Sequence, residues 1–156
     1  MSQIPCRVRL ALLLTIIVVL HGAETPAASA IERGEVVIDG RIRIDVEVAR
    51  SPQAQAKGLG GKLSLNKGRG MIFPYDAPGQ RAFWMKGMRI PLDILWILGG
   101  KIVAIETNIP PPSSKAALAI HSHLADLVLE VQAGYVEEMG IRVGQSVGVR
   151  YDSASR

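Results

Sequence analysis

The chain nearly lacks cysteine: the single one, Cys6, falls within the first ten residues. A disulfide framework, a thiol nucleophile in the body of the chain and a Cys-based metal centre are thereby excluded together. Apolar runs are short, the longest being the eleven residues from Leu10 to Leu20, where a membrane-spanning helix needs about 20. Neither sign of charge dominates. The net charge of +4 is scattered without a run of five like charges, which is too dispersed for a nucleic-acid footprint. The chain also has no G-x-S-x-G, no phosphate-cradling glycine loop, no H-E-x-x-H, no internal repeat and no heptad pattern. Aromatic residues make up only 4%, so the places where they gather are informative.

The first thirty residues read as a secretory signal: Arg7 and Arg9 precede the apolar run, and Ala28-Ser29-Ala30 forms an A-x-A cleavage site. Cleavage after Ala30 leaves residues 31–156 as one exported domain, periplasmic or extracellular. Any membrane attachment would come only through an uncleaved signal.

Within 31–156 the strongest local pattern is VVIDGRIRIDVEV, Val36 to Val48. Asp39-Gly40 suits a type I′ turn, and beyond it Ile42, Ile44, Val46 and Val48 alternate with charged residues, which predicts a half-exposed antiparallel hairpin. Ser51-Pro52 predicts the start of a short helix ended by Gly58. Gly58 to Gly70 reads as a surface loop, Met71 to Phe73 as a short strand stopped by Pro74, and Tyr75 to Gln80 as another loop. Ala82 to Met85, Leu92 to Leu98 and Lys101 to Thr107 are expected as three consecutive strands of a meander, the last two joined through Gly99-Gly100. Pro110 to Pro112 must leave the sheet. Ser113 to His123 is compatible with a short helix or a loop. Asp126 to Gln132 returns to strand, Tyr135 to Met139 makes one helical turn, and Ser146 to Tyr151 ends the domain as a strand. The fold class is therefore mainly β: a small antiparallel sandwich or partly closed barrel with one or two short helices.

Both tryptophans lie in RAFWMKGMRIPLDILWI, Arg81 to Ile97, together with Phe83, Lys86 and Asp93. A hairpin made of Ala82 to Met85 and Leu92 to Leu98 would set Lys86 opposite Asp93 as an ion pair. Glu130, in the apolar LVLEV, shares a face with Val128 and needs a partner if buried. Three readings follow. Lys86, Asp93 and Glu130 could form a polar network that holds the fold, with Phe83, Trp84 and Trp96 as core. They could line a pocket in which Trp84, Trp96 and Phe83 stack an envelope ligand or contact an envelope protein. Or the carboxylates could act as acid and base in a hydrolase. Of these, a non-catalytic binding module, acting as a monomer and without a cofactor, is the leading expectation. His121-x-His123 places two imidazoles on one strand face, but one such pair does not make a metal site, and none is expected.

The phrases GL at Gly58-Leu59, RGMIF at Arg69 to Phe73, FWMKGMRIPLDILWI at Phe83 to Ile97, LVLEVQAGY at Leu127 to Tyr135 and GIRVGQSV at Gly140 to Val147 together resemble the family called domain of unknown function 192. The likeness extends from about Ala49 to Val149. It implies a small, mostly β, often exported protein, and it brings no established activity. This chain departs from the family's usual FWMKNT, having Gly87-Met88, and from its usual GD, having Gly144-Gln145. Lys86, Asp93 and Glu130 match the pattern.

Overall fold

The computed structural model describes residues 31–113 and 119–152. The expected signal, residues 1–30, and much of the ambiguous stretch between Ser113 and His123 lie outside the described residues. Seven strands, β1 (Arg33–Ile38), β2 (Ile42–Val48), β3 (Arg69–Trp84), β4 (Leu92–Leu98), β5 (Lys101–Ile109), β6 (Ile120–Gln132) and β7 (Val147–Tyr151), form one sheet in the order β5-β4-β6-β3-β2-β1-β7. The sheet curls into a half-barrel. Its two edges meet at one end, where the amides of Ile102, Gly144 and Val147 donate to the carbonyls of Gln145, Ile102 and Gly100. The partly closed barrel expected from the sequence is this sheet.

The first hairpin forms as predicted, with Asp39 and Gly40 both at positive φ, 49° and 67°. The residues from Ile42 to Val48 that were expected on one face are buried. Ser51 caps α1 (Pro52–Lys57) by accepting from the Ala54 amide at 3.1 Å. This helix and the loop after it carry the chain across to β3, which runs parallel to β2. One pair in an otherwise antiparallel sheet therefore departs from the all-antiparallel expectation.

Two expectations fail in the middle of the chain. β3 and β4 do not pair: β6 lies between them, hydrogen-bonded to both. Only the β4–β5 half of the meander exists. β3 also does not end at Pro74. It continues to Trp84 through an irregularity in which Tyr75 to Pro78 stand against the single Asp126 of β6; Pro74, opposite Leu127, is the last paired residue before it, and Pro78 lies within it.

That irregularity bends the far ends of β3 and β6, residues 79–84 and 120–125, into a ribbon that folds over the outer face of the sheet. Trp96 shows the contact: its Nε1 donates to the Arg81 carbonyl at 2.9 Å, and its ring meets that of His123 edge-on at 4.6 Å. Two cores result. Inside the half-barrel lie Val36, Ile44, Ile72, Leu95, Leu129 and their neighbours, closed at one end by α2 (Tyr135–Met139). Between sheet and ribbon lie Leu59, Phe73, Phe83, Ile94, Trp96 and Val128.

Candidate functional site

The six residues singled out in the sequence do not share one face of the sheet. On β4, Asp93 stands opposite Val131, and Ile94 stands opposite Glu130. Val131 belongs to the inner core and Ile94 to the outer one, so Asp93 and Glu130 point to opposite faces of the sheet. Asp93 is fully buried, and its carboxylate is taken up by two backbone donors, the Asn108 amide at 2.8 Å and the Val136 amide at 3.0 Å. The first belongs to a residue at positive φ near the end of β5, the second to the first turn of α2. Asp93 thus caps a helix whose own N-cap, Gly134, has no side chain with which to do so.

The expected Lys86–Asp93 ion pair does not form. It required β3 and β4 to be neighbours, and β6 separates them. Lys86 sits instead in the exposed turn after β3 and makes no salt bridge among the described residues. A two-carboxylate hydrolase built on Asp93 and Glu130 is removed with it, because that chemistry needs both groups on one side, within about 10 Å. Trp96 is core as well: fully buried, with its one donor satisfied.

The other four residues come together. Trp84, Lys86, Phe83 and Glu130 line one concavity of about 300 Å³, walled on the opposite side by α1 and the Gly58-Leu59 turn. The ribbon supplies Phe83 and Trp84, the latter 51% exposed although it is a tryptophan. The turn that carries Lys86 is tied to the loop after α1 by the Gly61 amide, which donates to the Gly87 carbonyl at 3.0 Å. Phe73 and Phe83 meet edge to face at 4.9 Å across the bend in β3, setting the back wall. Tyr75, half-buried on the same wall, is covered by the Arg81 guanidinium at 3.8 Å from its ring centre.

Glu130 belongs to this concavity and is nearly inaccessible at 6% exposure. Its Oε2 is buried without a hydrogen-bond partner. Desolvation alone pushes its carboxyl up to about 8, so near neutral pH it is a neutral acid carrying one O–H donor. The Gly58 turn packs close to it: a Cβ there would stand 3.8 Å from Glu130 Oε2 and 3.6 Å from the Phe73 ring, and the positive φ of 49° at this helix end favours glycine. Lys57, Gly58, Leu59 and Tyr75 also line the hollow, although local sequence marks them only as a helix end and loop. The GL phrase was the one signal pointing there.

His121 and His123 do share a face, as their spacing implied, but in a strand, and what they share is a carboxylate. Glu106 of β5 takes the His121 Nδ1 on one oxygen and the His123 Nε2 on the other, the latter at 2.9 Å. Partial burial raises the Glu106 pKa, and the two imidazole contacts outweigh it, leaving it below the usual value. The trio ties the ribbon to the far edge of the sheet. Among the described residues no group of three His, Cys, Asp or Glu is spaced to hold a metal ion.

Comparison with known proteins gives a family and two solved relatives. The sequence profile of the domain of unknown function 192 family, described as "Uncharacterized ACR", matches residues 35–149. No curated protein matches the chain. A crystal structure from Sinorhizobium meliloti 1021, described provisionally as a transcription regulator, is 29% identical with a TM-score of 0.66, covering 77% of this chain and 94% of that one. Another, a protein of unknown function from Novosphingobium aromaticivorans DSM 12444, is also 29% identical with a TM-score of 0.67, covering 78% and 89%.

Proposed function

This chain belongs to the domain of unknown function 192 family, and from that premise we propose that it is an exported, non-catalytic module that binds a small ligand of the cell envelope in the concavity lined by Trp84, Lys86, Phe83 and Glu130. One observation carries the reading: a buried acid with an unpartnered oxygen lies in a mainly apolar hollow. A fold does not keep an orphaned polar atom without cost, and an apolar pocket with a few convergent polar groups is the usual form of a ligand site. The half-exposed indole of Trp84 in the lining supports it, as an apolar face left available to a ligand. Export rests on the A-x-A site after the short apolar run. Asp93 and Trp96 serve the fold in this reading.

The test uses the chain isolated from the periplasmic fraction, expected to begin at Ile31, titrated with envelope glycan fragments and small organic acids while tryptophan emission is followed. At least one class should change the emission, Trp84→Phe should abolish the change, and Lys86→Ala should weaken binding. Full-length protein in the cytosol would sink the export claim, and variants that bind like the parent would sink the site.

A further inference from the structure

We propose that the concavity is selective for small carboxylic acids with an apolar or aromatic body, the acid's carboxylate accepting a hydrogen bond from Glu130 and drawn in by Lys57 and Lys86 at the rim. The proposal rests on the binding role above and names its ligand class.

The charges of the lining carry the argument. Lys57 on α1 and Lys86 in the turn after β3 are exposed, and neither makes a salt bridge among the described residues. The only acid in the lining is Glu130, and the only other titratable group is Tyr75. The residues beside Glu130 in the ladder, Met71 on β3 and Ile94 on β4, are apolar. With Glu130 protonated, the hollow is positive, offers one donor at its floor and has no anion of its own. A carboxylate meets all three conditions: its oxygens accept from the O–H, its charge suits the lysines, and its body covers Phe83, Leu59 and Trp84. An ammonium ligand would have to ionise a desolvated acid and sit between two lysines.

The pH dependence follows. Glu130 keeps its proton up to about 8, and above that it becomes a second anion facing the ligand, so affinity should fall as pH rises through that value.

The full chain is titrated by calorimetry and Trp84 emission with octanoate and benzoate, and with octanol and octylammonium as uncharged and cationic controls. At about pH 6.5 octanoate should bind at least about tenfold tighter than octylammonium or octanol, and about tenfold more weakly by about pH 9.5. Glu130→Gln retains an N–H donor and should bind octanoate with little change between those pH values. Lys57→Ala combined with Lys86→Ala, both exposed and safe for folding, should erase the preference for the anion. Octylammonium or octanol binding as well as octanoate, with a Trp84 response, would overturn the carboxylate selectivity and leave the binding role standing. No response to any probe would overturn both.

Discussion

Glu130 and Asp93 are two carboxyls in neighbouring strands whose surroundings give them different fates. Asp93 receives two backbone N–H donors. Glu130 receives none on Oε2 and holds its proton because burial disfavours the charged form. The consequence for stability has a definite sign. Between the ordinary value of 4.5 and about 8 the unfolded chain has released this proton and the folded chain has not, so folding loses stability as pH rises through that window, by about 1.4 kcal/mol per unit of pKa difference. Glu130→Gln removes the titration. The difference in melting temperature between variant and parent should therefore shift in the variant's favour by several degrees between pH 5 and pH 8.5. Parallel curves would mean that Glu130 is ionised in the folded protein.

At the scale of elements, the ribbon is the part of the fold with most bearing on the site and the least support from the sheet. It reaches the outer face through Trp96, Phe83 and the Glu106–His121–His123 contacts, and it presents Trp84 to the concavity. Glu106→Ala removes the acceptor for both imidazoles. Since Glu106 is partly exposed, the loss should be only about 1 kcal/mol. Its effect should be local: faster hydrogen exchange at amides 79–84 and 120–125, with β1 and β2 unchanged. Uniform acceleration across the sheet would show that the ribbon is not a separate unit.

For the whole molecule, the half-barrel needs its open end closed over the inner core, and α2 does this with Tyr135 and Val136. Asp93 joins that closure to the sheet from β4, bridging the end of β5 and the first turn of the helix. Asp93→Ala leaves two backbone donors without their acceptor and a cavity in the core, and should cost about 3 kcal/mol. Urea unfolding would measure it as a lower midpoint. A midpoint equal to the parent's would show that α2 holds its place by packing alone.

The sequence by itself determined what local chemistry can determine. The Asp39-Gly40 hairpin, the Ser51-Pro52 cap, the Gly99-Gly100 turn and the helix stopped at Gly140 all depend on neighbours a few residues apart, and all are present. The family phrases marked Lys86, Asp93 and Glu130 without saying where they point. Only the tertiary structure decided that, because strand order is set by long-range pairing: β6, some thirty residues downstream, enters between β3 and β4 and separates Lys86 from Asp93. The bend opposite Asp126 then turns the ribbon over the outer face, so that Trp84, Lys86 and Glu130 meet α1 around one hollow while Asp93 and Trp96 remain within the fold.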